Sequence, residues 1–135
     1  MLPSRKTLTR YFTCVLTVAT LLPLTAYAHH SAALFYDLKQ RVTLTGVVSR
    51  FNFRNPHAIV ELDVTVANGT VEHWTAETSA PSALRRRGWS QQSISTGETI
   101  TLEGIPARDG TLFMRITRAI KADGTEVGVP RELDN

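Results

Sequence analysis

The chain has 135 residues and a formal net charge of +3, and that charge is unevenly distributed. The segment 1–28 holds three basic side chains and no acidic one, so the segment 29–135 holds 12 of each sign. A neutral chain of this length lacks the basic surface that nucleic-acid-binding domains use, and it suffices for one domain only. The sole cysteine, Cys14, also lies in the first segment, so the remainder can form neither a disulfide nor a thiolate nucleophile.

The segment 1–28 has the composition of a secretory signal peptide. Arg5, Lys6 and Arg10 precede an apolar run, and small residues stand at alternate positions at Ala26 and Ala28. A membrane-spanning helix needs about 20 apolar residues, whereas threonines interrupt this run and a proline ends it. We therefore expect cleavage after Ala28, which gives a periplasmic or secreted protein without a transmembrane segment.

The first two predicted strands follow an amino-terminal extension at residues 29–41. Residues 42–53 form one long strand, in which Gly46 indicates a bulge or bend. Asn55-Pro56 turns the chain, and residues 60–66 alternate apolar and polar side chains, as a strand with one buried face does. Asn68-Gly69 then predicts a hairpin.

The register of the third strand, residues 70–77, is predicted by matching the apolar faces of this hairpin. Placing Trp74 opposite Val64 and Ala76 opposite Leu62 puts these side chains on one inward face, because a slip of one residue would reverse the faces. His73 then points outward near Thr65.

The same register sets Glu61 against Glu77, and like charges in this position repel each other unless a cation lies between them. Arg50, Arg86 or a metal ion would supply that charge. Paired carboxylates also suggest a hydrolase. We favour structural ion pairing because the sequence offers no nucleophile or acid–base group around them.

A short helix is predicted at residues 79–88, where Pro81 suits the first turn and Gly88 the end. Arg85, Arg86 and Arg87 crowd its last turn, where cations are favoured. Strands at residues 99–106 and 112–121 follow around Asp109-Gly110, and residues 123–135 form a tail.

The element order β-β-β-α-β-β with a long first strand is that of the five-stranded Greek-key barrel called the OB-fold. We therefore predict an all-β domain with one short helix over residues 42–122, with an incomplete sandwich as the alternative. An OB-fold presents the face of its second and third strands to ligands.

Several short motifs are spread over nearly all of the chain that follows the leader. They are His29-His30-Ser31, residues 42–48, Asn55-Pro56-His57-Ala58, Trp74, residues 86–89 and residues 97–104. Together they resemble a family of small exported bacterial proteins that is classed as a domain of unknown function. The resemblance implies export and a small β domain, and it supplies no activity.

The two adjacent histidines gain interest if they begin the mature chain. His29 would then offer an imidazole and a free α-amine, whose pKa of about 7.7 to 8.0 lets a metal displace its proton near neutrality. A second imidazole, from His30 or His57, would complete a nitrogen-rich set that favours Cu(II). Cleavage after Ala26 would instead make histidine the third residue, a copper-binding arrangement that needs no fold. The alternative to metal binding is that both histidines are simply solvated.

His57 is the third candidate ligand because the extension is long enough to reach it. Residues 29–41 span up to about 3.5 Å each when extended, so a shared site is within range. The alternative is that His57 only orients the Asn55-Pro56 turn through a backbone hydrogen bond. His73 lies toward the opposite hairpin, so we expect that it shares no ion with His57.

These observations predict a non-enzymatic, exported β-barrel that binds a small ligand or an envelope protein, with Cu(II) at His29, His30 and His57 as the specific hypothesis. One alternative is a copper oxidase or oxygenase with an amino-terminal histidine brace. Another is an interaction module without metal. Nucleic acid is not an expected partner, since an OB domain that binds it needs a basic groove with exposed aromatic residues.

Overall fold

A computed structural model describes residues 32–128 of the chain, and from the first strand onward its element order agrees with the sequence-based prediction, while a further helical turn precedes that strand. The elements are α1 (Ala32–Phe35), β1 (Val42–Asn52), β2 (Ile59–Thr65), β3 (Val71–Glu77), α2 (Pro81–Arg85), β4 (Thr99–Pro106) and β5 (Phe113–Lys121). The predicted signal peptide and both amino-terminal histidines lie outside the described residues, as do residues 129–135.

The five strands close into a barrel in the order β1-β2-β3-β5-β4. All neighbouring strands are antiparallel except β3 and β5, which run parallel and complete the closure. With α2 between β3 and β4, this is the topology of the OB-fold, so the prediction of an OB-like barrel is confirmed.

The length of β1 lets one strand belong to both sides of the barrel. Its first half pairs with β4 and its second half with β2, and the register shifts between Val48 and Arg50. Gly46 lies beside this bend against the backbone of Asp63, where a Cβ would overlap the carbonyl oxygen. The interior glycine therefore permits close strand contact, and the irregularity predicted at Gly46 lies between Val48 and Arg50 instead.

The core is formed by the inward side chains of all five strands and is closed at one end by α2. Leu62, Leu102 and Met114 are completely buried in its centre. Leu84 of α2 is also fully buried, and Trp89, which follows the helix, packs against Phe51 at 6.4 Å between ring centroids. Burial of this apolar surface is the main stabilising contribution in a chain whose described part contains no cysteine.

The predicted register of the hairpin formed by β2 and β3 is wrong by two residues, although the predicted inward and outward faces of the strands are right. Leu62 pairs with Trp74, and Asp63, rather than Thr65, pairs with His73. Glu61 and Glu77 are consequently not opposite each other, since Glu61 faces Thr75. A shift by two residues keeps every side chain on its own face, so the apolar pattern alone could not exclude it.

Part of the expected amino-terminal extension is ordered against the barrel. Tyr36 is buried and forms an isolated β-bridge with Ala107, directly after the single turn of α1. Arg108 holds this segment in place, because its guanidinium donates to the carbonyl oxygens of Ala33 and Tyr36 at 3.1 and 3.3 Å. The chain therefore enters the barrel along the loop between β4 and β5.

Candidate functional site

A cavity of about 760 Å³ lies on the outer face of the barrel, where the amino-terminal segment covers the parallel pair β3 and β5. Its walls come from α1, from the outward side chains of both strands, and from the loops before β2 and before β5. These are the loops that border ligand sites in OB-folds. A cavity of this volume is in the range of small-molecule sites.

A histidine–carboxylate pair forms the polar wall of the cavity. His57 precedes β2, and its Nδ1 lies 2.6 Å from Oε1 of Glu77 at the end of β3. A carboxylate only accepts, so a proton on Nδ1 is the one that this contact can hold, and Nε2 is the ring nitrogen left for another partner. The ring is half exposed, whereas Glu77 is more covered. His57 thus contacts a carboxylate and does not serve the turn through a backbone hydrogen bond, which was the alternative interpretation.

Tyr36 brings a phenol to the same carboxylate. Burial, the negative charge of Glu77 and a hydrogen bond to it together raise the pKa of Tyr36 to about 12, with burial as the largest cause. The nearby guanidinium of Arg115 acts in the opposite direction. Tyr36 is therefore a neutral hydrogen-bond donor at physiological pH.

Arg115 supplies the positive charge of the cavity. It is the neighbour of Glu77 across the parallel strands, yet its guanidinium lies over the Tyr36 ring, 5.9 Å from the centroid. Among residues 32–128 this guanidinium has neither a hydrogen bond nor an ion pair. Phe113, two residues earlier on β5, stacks on Tyr36 at 6.2 Å and completes an aromatic wall.

A second histidine–carboxylate pair lies on the same outer face but outside the cavity. Nδ1 of His73 is 2.8 Å from Oδ1 of Asp63, and the His73 side chain is 79% exposed. His73 is four positions along β3 from Glu77, which at about 3.3 Å per residue separates the two pairs by about 13 Å. One ion cannot bind both, as expected.

The remaining carboxylate that the sequence singled out is paired with an arginine. Nη1 of Arg50 lies 3.4 Å from Oε1 of Glu61, with both side chains well exposed. Arg50 was among the cations proposed for this position, and Arg86 was another. Such an exposed pair contributes little to stability and has no evident catalytic role.

The described residues bring only one of the three proposed copper ligands into the cavity. That residue is His57, while His29 and His30 lie outside the described range. Within residues 32–128 no group of three or more His, Cys, Asp or Glu residues could hold a metal. Ala32, which lines the cavity, is however only three residues after His29.

Sequence reasoning missed Tyr36, Arg115 and the partnership of Glu77 with His57. Tyr36 stands in a segment too short to show any periodicity, so nothing indicated that it would be buried. Arg115 and Glu77 are neighbours only because β3 and β5 pair in parallel. The OB-fold prediction implied this pairing but did not give its register. The outward position of both in alternating strands was the one usable signal.

Comparisons with known proteins identify the family and leave the activity open. A family model described as "Family of unknown function (DUF6152)" matches residues 17–114. No curated protein matches the chain. Among solved structures, the barrel is similar to the mitochondrial single-stranded DNA binding protein Rim1 of S. cerevisiae, with 10% identity and a TM-score of 0.48 over 62% of this chain and 93% of that one. In the described part of the chain, neither helix is long and apolar enough to cross a membrane.

Proposed function

The chain belongs to the DUF6152 family of unknown function, and we propose from its own side chains that it is an exported, non-enzymatic protein that binds Cu(II) with His29, His30 and His57. In this proposal His29 contributes its α-amine and imidazole after removal of residues 1–28. His57 contributes Nε2, and His30 is the alternative source of the second imidazole. The observation that carries the proposal is the contact of His57 with Glu77 inside the cavity.

This contact has the form expected of a metal-binding histidine. Such residues generally donate one ring N–H to a carboxylate, which fixes the ring and makes the other nitrogen a better ligand. Nδ1 lies 2.6 Å from Oε1 of Glu77, so Nε2 of His57 is the ligand atom in this proposal. The hydrogen bond from Tyr36 to the same carboxylate restrains Glu77 in turn.

The position of α1 supports the participation of His29. Because Ala32 lines the cavity, His29 is attached three residues from its wall, which is at most about 10 Å of chain. A set of amine and imidazole nitrogens binds Cu(II) more tightly than Zn(II) or Mg(II), because Cu(II) prefers nitrogen ligands in a tetragonal arrangement. The mature chain has no thiolate that would favour Cu(I) or zinc.

Copper titration of protein that begins at His29 tests this proposal, with calorimetry for affinity and electron paramagnetic resonance for nitrogen ligation. His29→Ala and His57→Ala should each weaken binding by at least about tenfold, and Glu77→Gln by about 10- to 100-fold through loss of ring orientation. Acetylation of the His29 α-amine should also weaken binding, because the blocked nitrogen can no longer bind the ion.

His73→Ala is the matched control. His73 is also a histidine with Nδ1 on a carboxylate of the same sheet, but it lies outside the cavity. Its loss should leave copper affinity unchanged. Equal affinity of His57→Ala and the unmodified protein would refute the role of the cavity, and full affinity of the acetylated protein would refute the role of the amine.

The competing functions give different results in the same preparation. Oxygen consumption by the copper form with a reductant would establish the oxidase or oxygenase alternative. Absence of copper binding in every form would leave an interaction module without metal, whose envelope partner cross-linking would identify.

Nucleic acid is not included in the proposal. The outward side chains of β1, β2 and β3 include the carboxylates Glu61, Asp63 and Glu77, with Arg50 as a cation among them. A phosphate backbone would meet net negative charge on this face. Fluorescence anisotropy with a labelled oligodeoxythymidine should show no binding at physiological salt, and tight binding would contradict this part of the proposal.

A further inference from the structure

The cavity combines an aromatic wall with one cation that lacks a polar partner. Phe113 and Tyr36 stack on each other, and Phe35 is exposed at the rim. Arg115 lies over the Tyr36 ring, and its guanidinium has no hydrogen bond or ion pair among the described residues. An arginine with unused donors beside apolar surface can bind a carboxylate through two parallel hydrogen bonds.

Both carboxylates in the cavity already have polar partners within the chain. Glu77 contacts Nδ1 of His57 and accepts from Tyr36, and it forms no ion pair with its cross-strand neighbour Arg115. Asp109 accepts from the side chain and backbone of Thr111. The acidic groups are therefore occupied, and the guanidinium is the group left for a ligand.

We propose that the cavity binds a small organic anion with a flat apolar body, such as an aromatic carboxylate, with the carboxylate on Arg115 and the body against Phe113 and the rim at Phe35. The volume of about 760 Å³ accommodates a ligand of this size. Binding requires no metal, although the proposed copper ligand His57 lines the same cavity.

Three naphthalene compounds of similar size test the proposal on the metal-free protein in the presence of a chelator. They are 2-naphthoate, 2-naphthylmethanol and 2-naphthylmethylamine, which are an anion, a neutral alcohol and a cation. Chemical shift perturbation of backbone amides measures each affinity and shows where the compound binds. The anion should bind about tenfold or more tightly than the alcohol, with shifts around Arg115 and Phe113, and the cation should bind least.

Arg115→Met should remove this preference, because methionine retains an apolar stem without charge. Naphthoate affinity should fall by about 10- to 100-fold, the range for hydrogen bonds to a charged group, while binding of the alcohol should change little. Arg118→Met is the control on the same strand. Arg118 is engaged by Glu126 and Glu103 and does not line the cavity, so its loss should leave naphthoate binding intact.

Several results would overturn the proposal. Equal affinity for anion and alcohol, preference for the cation, or absence of naphthoate binding at millimolar concentration would each do so on the unmodified protein, even if Arg115→Met failed to fold.

The anion proposal and the copper proposal can be tested separately. Loss of copper binding in His29→Ala with unchanged naphthoate binding would support anion binding that does not depend on the copper ligands.

Discussion

The pKa of Tyr36 offers a direct measure of the geometry in the cavity. Of the three tyrosines, Tyr11 and Tyr27 lie in the predicted signal peptide, so protein that begins at His29 contains Tyr36 alone. The absorbance of tyrosinate against pH then reports this one residue. We expect a transition near the pKa of about 12 that burial and Glu77 produce, well above the ordinary value of 10.0.

Two substitutions should move this pKa in opposite directions. Glu77→Gln removes the negative charge beside the phenol, so the pKa of Tyr36 should fall, but it should stay above 10.0 because burial is the largest cause of the rise. Arg115→Met removes the cation that stabilises tyrosinate, so the pKa should rise further. Tyr36→Phe is the control and should abolish the transition. Shifts of the same sign in both variants would refute the placement of Tyr36 between these two side chains.

The shift also determines how stability depends on alkaline pH. The unfolded chain loses the Tyr36 proton near pH 10.0 and the native chain near pH 12, so between these values the unfolded state binds fewer protons. The free energy of unfolding therefore falls as pH rises through this window. Two pH units correspond to about 2.7 kcal/mol, and solvent at the cavity mouth reduces the expected loss to about 1–2 kcal/mol. Urea denaturation at pH 9 and pH 12, with Tyr36→Phe lacking this contribution, measures it.

Three further substitutions test packing and the docking of the amino-terminal segment. Leu62→Ala should cost about 2–5 kcal/mol in urea denaturation, because Leu62 is completely buried, whereas Val71→Ala at an exposed strand position should cost far less. Gly104→Ala should lower the melting temperature, with a destabilisation of about 1–3 kcal/mol, because the added Cβ would overlap the β5 backbone. Arg108→Met should speed amide hydrogen exchange of Tyr36 and leave that of Leu62 unchanged, because only the contact with α1 is lost.

The barrel was predictable because the alternation of apolar and polar residues along its strands shows which side chains point inward. Alternation in β2 and the turn residues around β4 and β5 gave strand positions close to those observed, and β4 was placed at Thr99–Pro106 as found. The same alternation left the register of β2 and β3 ambiguous, since pairing Trp74 with Leu62 or with Val64 buries the same side chains. Apolar patterning thus determined the faces, and the length of the turn determined the offset.

The cavity was less predictable because three of its groups become neighbours only through tertiary contacts. The sequence identifies His57 as a candidate ligand, but the predicted register places its partner Glu77 opposite Glu61 instead. Tyr36 depends on the β-bridge with Ala107, a single pair of residues far apart in the sequence, which leaves no local pattern.

Docking of Tyr36 also bears on whether His29 can act with His57. If the whole of residues 29–41 connected His29 to the barrel, the tether would be 13 residues long, whereas with Ala32 on the cavity wall only residues 29–31 lie between His29 and the cavity. Loop-closure entropy that grows as the logarithm of length favours the shorter tether by about 1.3 kcal/mol, close to a tenfold higher local concentration. Arg108, which contacts no proposed ligand, should therefore influence copper affinity by up to this factor through the position of α1. A copper affinity that Arg108→Met leaves unchanged would show that the docked segment does not deliver His29 to the cavity.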